Sequence, residues 1–213
     1  MPFPYNNTQE NIMKLFLKPG ACSLSPHIVL EESGLPYDTE VVDLKTKVTA
    51  SGADYWAINP KGYIPALLLD NGELLTEGPA IVQYLADQVP AKKLAPANGS
   101  LERYRLQSWL TYIGTELHKS FSPFFNPAAG DDWKGAAKAN LEKRIAYADQ
   151  QLAGKQYLMG DDFSVADAYL FTVLGWAKFI KLDLAQWPNV AAYMARVAAR
   201  PAVQSALKAE GLA

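Results

Sequence analysis

The chain has 213 residues, is 49% hydrophobic and carries a formal net charge of −2. It is long enough to bury a core as one large domain or two small ones. It has no run of five or six like charges, which argues against nucleic acid or an anionic membrane as partner. Its single cysteine excludes an intramolecular disulfide and suits a reducing compartment.

Residues 1–12 are polar, contain two prolines and lack the apolar stretch of a secretory signal. They read as a disordered extension, with the folded chain starting near Met13. The N-x-S/T sites at Asn6 and Asn98 are assigned to chance in the absence of a secretion signal.

The first strand is expected over residues 13–17. It ends at Lys18-Pro19-Gly20-Ala21-Cys22-Ser23, after which Ser25 is expected to cap a helix with Pro26 at its first position. Gly34 is the expected helix stop and Pro36 blocks its continuation. Thr39 to Leu44 alternates and is rich in β-branched residues, giving a second strand and a βαβ unit with parallel strands. A short helix is expected around Ser51 to Ile58. Pro65 to Leu69 reads as a strand, Asp70-Asn71-Gly72 as a hairpin turn, and Glu73-Leu74-Leu75 as the antiparallel return. Thr76-Glu77-Gly78-Pro79 then opens a helix through Val89, whose apolar set Ile81, Val82, Leu85 and Val89 has helical spacing.

Composition changes over Pro90–Ser100, read as a linker. Beyond it every periodic segment is helical. Leu106, Trp109, Leu110, Ile113 and Leu117 mark one long helix. Leu141, Ile145, Ala148 and Leu152 mark the next, which stops at Gly154. Ser164-Val165-Ala166-Asp167 matches a capping box with Asp in place of Glu and opens an apolar helix to about Ile180. Asp167, Lys178 and Lys181 make that segment a buried helix and not a membrane span. Trp187-Pro188 and Pro201 start two further helices. The fold class is therefore α/β plus all-α: a β-α-β-α-β-β-α domain, about 13–90, a linker at 91–100, and an all-helical domain, 101–213.

Cys22 is the first chemical candidate. A thiol in a strand-to-helix turn lies where helix N–H groups and the positive dipole end stabilise a thiolate. The competing reading is a small buried apolar residue. Cys22-Ser23-Leu24-Ser25 is also a C-x-x-S: without a resolving thiol it supports a mixed disulfide with a small thiol but cannot close its own. Pro65 at the start of a strand is the position of a thioredoxin-type cis-proline, whose neighbour's backbone pairs with a peptide-like ligand. Glu77 and Gly78 at a helix N-terminus suit the ammonium and carboxylate of an amino acid, although Thr76 as a simple cap explains the same residues. Two histidines, His27 and His118, and one cysteine are too few for a zinc site, and no nucleotide-binding or metalloprotease motif is present.

Together these residues resemble the glutathione transferases, most nearly the bacterial beta class. The likeness rests on Lys18 to Leu30 around Cys22, Asn59-Pro60-Lys61-Gly62, Ile64-Pro65, Thr76-Glu77-Gly78, Ala80 to Leu85 and Ser164 to Asp167, and covers the chain except residues 1–12. It implies a thioredoxin-like N-terminal domain that binds glutathione as co-substrate, with no cofactor and no metal, and that conjugates its thiol to small, mostly apolar electrophiles in detoxification. Cys22 matches the cysteine that contacts glutathione and can form a mixed disulfide with it. Ile64, beside a cis Pro65, would pair with the cysteinyl part, Glu77 and Gly78 would hold the γ-glutamyl end, and Lys47 the glycine carboxylate. His118 would serve the glutathione sulfur, with Lys119 beside it, and Trp176 and Tyr112 would wall the second substrate. The resemblance also implies a cytoplasmic homodimer. Two positions depart from the pattern: Leu17 stands where many members have tyrosine, and Tyr63 where glutamine is frequent. The alternatives are a glutathione-dependent thiol-disulfide oxidoreductase or peroxidase using Cys22, and a non-catalytic binding protein on the same fold.

Overall fold

The computed structural model describes residues 12–213; the extension expected over residues 1–12 lies outside them except for Ile12. The chain forms two compact units. The first contains the described residues up to Gln88 together with Ala202–Ala213, and the second Val89–Pro201. The last segment, which the sequence places in the helical domain, thus belongs to the first unit, and the expected linker residues belong to the second.

The first unit is built on a five-stranded sheet of order β3-β2-β1-β4-β5. Strand β1 (Met13–Leu17) leads through α1 (Leu24–Ser33) to β2 (Tyr37–Asp43), which pairs with β1 in parallel. Leu15, Phe16 and Leu17 are buried, which makes β1 the central strand. Gly34 ends α1 in the left-handed conformation, at φ 72°, as its position predicts. The helix starts earlier than Ser25 and Pro26 suggest. The Ser23 hydroxyl accepts from Lys18 N–H (3.1 Å) and donates to the Lys18 carbonyl (3.2 Å), so the turn closes on itself and Leu24 is already helical. Ser25 and Pro26 are buried within α1.

A short strand, β3 (Val48–Thr49), pairs antiparallel with the end of β2 where the sequence shows no strand signal. Two residues are too few to leave a periodic trace. Helix α2 is the single turn Tyr55–Ile58, capped by the Asp54 carboxylate accepting from Trp56 N–H. The predicted hairpin is present as β4 (Ala66–Leu68) and β5 (Leu74–Thr76). Strand β4 also pairs antiparallel with β1, so β1 is bonded on both sides. Helix α3 (Gly78–Gln88) follows, with Ile81, Val82 and Leu85 buried. Thr76 is therefore the last residue of β5 and not a helix cap.

In the second unit α4 (Leu101–Tyr112) runs on through a π-helical turn at Ile113–His118 into α5 (Lys119–Phe125). The apolar stripe reads as one helix because a π turn changes the backbone winding without breaking the buried face. Helix α6 (Asp131–Leu152) supplies Leu141, Ile145, Ala148 and Leu152 to the core, as their spacing predicts. Helix α7 (Val165–Leu174) is buried along its whole length and gives way to 3-10 turns at Gly175–Ile180. Pro188 opens α8 (Pro188–Ala198), and Pro201, the last residue of the second unit, opens α9 (Pro201–Ala209), whose other residues belong to the first unit. None of the described helices is long and apolar enough to cross a membrane.

The capping box at α7 is formed. The buried Asp167 carboxylate accepts from Ser164 N–H (2.8 Å) and the Ser164 hydroxyl (2.7 Å) through one oxygen, and from Leu158 N–H (2.9 Å) through the other. Burial nevertheless raises its pKa above the ordinary carboxylate value. Replacing Asp167 by Ala strands three buried donors at about 1 kcal/mol or more each. Asp167→Ala is expected to lose about 3 kcal/mol and roughly 6–12 °C of thermal midpoint; thermal unfolding followed by circular dichroism measures this.

Candidate functional site

Pairing of β1 with β4 sets the turn after β1 beside the residues that precede β4. The Cys22 thiol donates to the Ile64 carbonyl at 3.4 Å, and the Ile64–Pro65 peptide bond is cis, as the position of the proline predicts. Cys22 is half-buried and packs against the cluster of Phe16, Val42, Tyr55, Ile64 and Ala66. Its body thus packs against the core, while its sulfur reaches the Ile64 carbonyl just ahead of β4.

The chain before Ile64 is held by side chains that the sequence reading gave no role. Tyr55, fully buried, donates its hydroxyl to the Tyr63 carbonyl at 2.8 Å, and the buried Asn59 donates from Nδ2 to the same oxygen at 2.7 Å. Burial raises the Tyr55 phenol pKa, so it remains a donor. Gly62 lies flat on Trp56: a Cβ there would sit 2.5 Å from the indole ring, and the backbone φ is +64°. The Tyr63 side chain is 71% exposed, so its departure from the common glutamine changes the rim and leaves the backbone intact.

Lys47, itself at φ 59°, donates from Nζ to the Gly62 carbonyl at 2.7 Å and lies 5.5 Å from the centroid of Trp56. Its ammonium is therefore part of the wall on the Gly62 side. On the other side, Glu77 adopts a left-handed conformation (φ 71°) just ahead of α3, and its carbonyl accepts from Ala80 and Ile81 N–H. Lys61 bridges to it, with Nζ 2.7 Å from Glu77 Oε1 and 3.1 Å from Thr76 Oγ1. Both side chains are exposed, so this pair is worth little to stability and orients the carboxylate instead. Gly78 faces Pro65, whose ring a Cβ on Gly78 would meet at 3.7 Å. One surface of the first unit thus brings together Cys22, Lys47, Ile64, Pro65, Glu77 and Gly78.

The remaining candidates lie in the second unit. His118 ends the π-helical turn, and its Nδ1 is 2.7 Å from the Tyr169 hydroxyl on α7. Its ring meets the Trp176 indole edge-on at a centroid distance of 4.8 Å, and Trp176 in turn packs against Phe121 and Phe125. Trp176 is buried, whereas Phe125 and Phe179 are exposed large apolar side chains, so this cluster has an accessible apolar edge. Lys119 is exposed. Tyr169 had no sequence signal, because an aromatic residue within a mostly apolar helix reads as core. Tyr112 belongs to a different cluster: it packs with Trp109 and Tyr147, donates to the Arg144 carbonyl at 3.0 Å, and borders a cavity of about 380 Å³ shared with Arg105 and Lys155. Burial pushes its phenol pKa up to about 12. Among the described residues no cluster of three or more His, Cys, Asp or Glu side chains could hold a metal ion.

Residues 20–88 match the family described as the N-terminal domain of glutathione S-transferase, and residues 112–201 match its C-terminal domain. The chain is 52% identical over 200 residues to glutathione S-transferase GstA of Escherichia coli O157:H7, covering 94% of this chain and all of that one. The chain belongs to the glutathione S-transferase family. Among solved structures, a sphingomonad glutathione S-transferase complexed with glutathione is 52% identical, with a TM-score of 0.91, over 94% of this chain and 100% of that chain. The bacterial beta class enzyme of Sphingomonas chungbukensis is 50% identical, also at TM-score 0.91, with the same coverage of both chains. The beta class resemblance and the thioredoxin-like fold read from the sequence are thereby established for this transferase.

His118 of the transferase has its pKa lowered from 6.5 to about 4, by burial first and by the Lys119 charge second. The unfolded imidazole takes up its proton near 6.5 and the folded one near 4, so between these values the unfolded state binds more protons and stability falls as the pH drops. A nuclear magnetic resonance titration is expected to find His118 neutral at pH 6, with its midpoint near 4. His118→Asn is expected to flatten the loss of stability across that window.

Proposed function

We propose that this glutathione S-transferase binds glutathione along the surface formed by Cys22, Ile64–Pro65 and Glu77–Gly78, and conjugates its thiol to small, mostly apolar electrophiles. The single observation that carries the reading is the convergence of Cys22 on the Ile64 carbonyl beside the cis Pro65, with Gly78 against the same proline. A strand whose backbone meets a ligand, a thiol at its edge and a helix N-terminus at its far side match the cysteinyl and γ-glutamyl parts of a thiol tripeptide. Glu77, oriented by Lys61, suits the γ-glutamyl ammonium, while the N-terminus of α3 suits the α-carboxylate. Lys47 on the Gly62 side suits the glycine carboxylate.

The reacting species is a thiolate, so the enzyme's main task is to stabilise negative charge on the glutathione sulfur. Cys22, half-buried and bonded to a carbonyl, acts as the neighbour of that sulfur and can exchange into a mixed disulfide with it. His118 is assigned as a neutral donor to developing charge: in the tautomer whose Nδ1 accepts from the Tyr169 hydroxyl, 2.7 Å away, the ring proton sits on Nε2. Lys119 adds a positive charge beside it. Trp176 with the exposed Phe125 and Phe179 offers an apolar face to the electrophile. Tyr112 packs with Trp109 and Tyr147. The enzyme needs no cofactor for this chemistry beyond glutathione as co-substrate. We further assign it to a homodimer in a reducing, cytoplasmic compartment, which the single cysteine suits.

Steady-state kinetics test the assignment. Cys22→Ala is expected to keep conjugation within about tenfold of the parent while abolishing glutathione-dependent disulfide reduction. Loss of both activities would make Cys22 the covalent nucleophile and favour the oxidoreductase reading. Glu77→Ala is expected to raise KM for glutathione by roughly tenfold or more with little change in kcat, since a charge-assisted contact is removed from ground and transition states alike. Calorimetry that finds no glutathione binding to the unaltered protein would leave only a non-catalytic role for the fold.

A further inference from the structure

Trp56, on the single turn of α2, is half-exposed, yet its indole borders both partners of one hydrogen bond. The bond runs from Lys47 Nζ to the Gly62 carbonyl at 2.7 Å. On the acceptor side, Gly62 turns at φ +64° so close to the indole that a Cβ there would lie 2.5 and 2.6 Å from two of its ring carbons. On the donor side, Nζ stands over the ring, 5.5 Å from its centroid, within the range of a cation–π contact.

The backbone around Lys47 is tied to the same few residues. Lys47 takes the left-handed conformation, at φ 59°, which a residue with a side chain seldom adopts. Its N–H is on the Asp43 carbonyl, and its own carbonyl accepts from Tyr55 N–H, both at 2.8 Å. Tyr55 precedes Trp56, whose N–H is held by the Asp54 carboxylate at 3.0 Å. What this backbone leaves open is the stem: four flexible carbons let an unheld ammonium sample many positions. The Gly62 carbonyl fixes one direction at Nζ, and the indole face fixes a second. An ammonium has three donors, so one that serves Gly62 can still meet a carboxylate. An aliphatic side chain would cover Gly62 equally well, whereas attraction of a cation needs the negative face of an aromatic ring.

We infer that Trp56 is a positioning residue for the glycine carboxylate of glutathione: its ring seats Gly62 and holds the Lys47 ammonium over its face, so that the site distinguishes the intact tripeptide from one whose C-terminal charge is missing. The inference rests on the glutathione reading, with Lys47 at that carboxylate. An ammonium held before the ligand arrives adds affinity that an unheld one loses to ordering. The contact is made alike in ground and transition states, so it acts on KM and not on kcat.

The test uses the full chain with Trp56→Leu, Trp56→Phe, Lys47→Met and the double variant of Lys47→Met with Trp56→Leu. Calorimetry compares glutathione with glutathione amidated at its glycine carboxylate. Trp56→Leu is expected to lower the preference for glutathione over the amide about fivefold, and to raise KM for glutathione by a similar factor at unchanged kcat. Trp56→Phe, which keeps a π face, should recover most of the preference. In the Lys47→Met background, Trp56→Leu should change glutathione affinity by less than about twofold. One readout needs no ligand: the Lys47 ε-methylene protons, shifted upfield by the indole ring current, should return to the ordinary lysine position in Trp56→Leu. Equal weakening of glutathione and the amide would mark a merely structural role and overturn the inference, as would an unchanged preference. Equal affinity of the unaltered protein for the two ligands would overturn it at Lys47. Should Trp56→Leu fail to fold, Trp56→Gln takes its place with the same expected and overturning results. Absence of glutathione binding to the unaltered protein would sink the glutathione reading instead, and unmoved Lys47 resonances would then sink the positioning role on its own.

Discussion

The structure of the first unit depends on one constraint: β1 is hydrogen-bonded on both edges. Parallel pairing with β2 on one side and antiparallel pairing with β4 on the other leave it no freedom to slide. Because Leu17 ends β1 and Ala66 begins β4, the loops beyond them emerge at the same end of the sheet. That is what places the Cys22 thiol on the Ile64 carbonyl. The bond at 3.4 Å is a weak one, and its value is positional: it marks where the turn after β1 meets the chain entering β4.

Polar groups around this point are satisfied by a shell that is mostly buried and local. The Ser23 hydroxyl serves both backbone groups of Lys18, Tyr55 and Asn59 share the Tyr63 carbonyl, and Lys47 holds that of Gly62. Each removes a degree of freedom from the backbone around Ile64, and such pre-organisation lowers the ordering cost of any binding there. The tail from Glu210 to Leu212 extends the shell with residues far along the chain, and it reaches the side of the turn that the local residues leave to it.

His118 illustrates the same economy in the second unit. Ending a π-helical turn, it meets Tyr169 and Trp176, and its burial holds it neutral through the physiological range. A cationic imidazole would bring a charge that the aromatic surroundings solvate poorly. A neutral ring can still donate one hydrogen bond without carrying a charge of its own.

Much of this was set by the sequence alone. The strand at Met13–Leu17, the hairpin at Asp70-Asn71-Gly72, the proline starts of α8 and α9, and the capping box at Asp167 are local features. Their chemistry is written in a few consecutive residues, and the structure forms them where expected. The residues about Cys22, Ile64–Pro65 and Glu77–Gly78 were sufficient to indicate the family for the same reason. Tertiary structure alone decided the start of α1, where the closed loop between Ser23 and Lys18 overrides the Ser25-Pro26 signal, and the seat of Tyr112 against Trp109 and Tyr147. It alone decided the partners of Lys61, Tyr169 and Glu210. Each acts on a partner 16, 51 or 190 residues away, and no propensity or periodicity encodes a hydrogen bond across such a separation. Glu210 shows this most plainly: in sequence it is one acidic residue near the end of a short helix, and only the folded first unit gives its carboxylate Gly20 and His27 to hold.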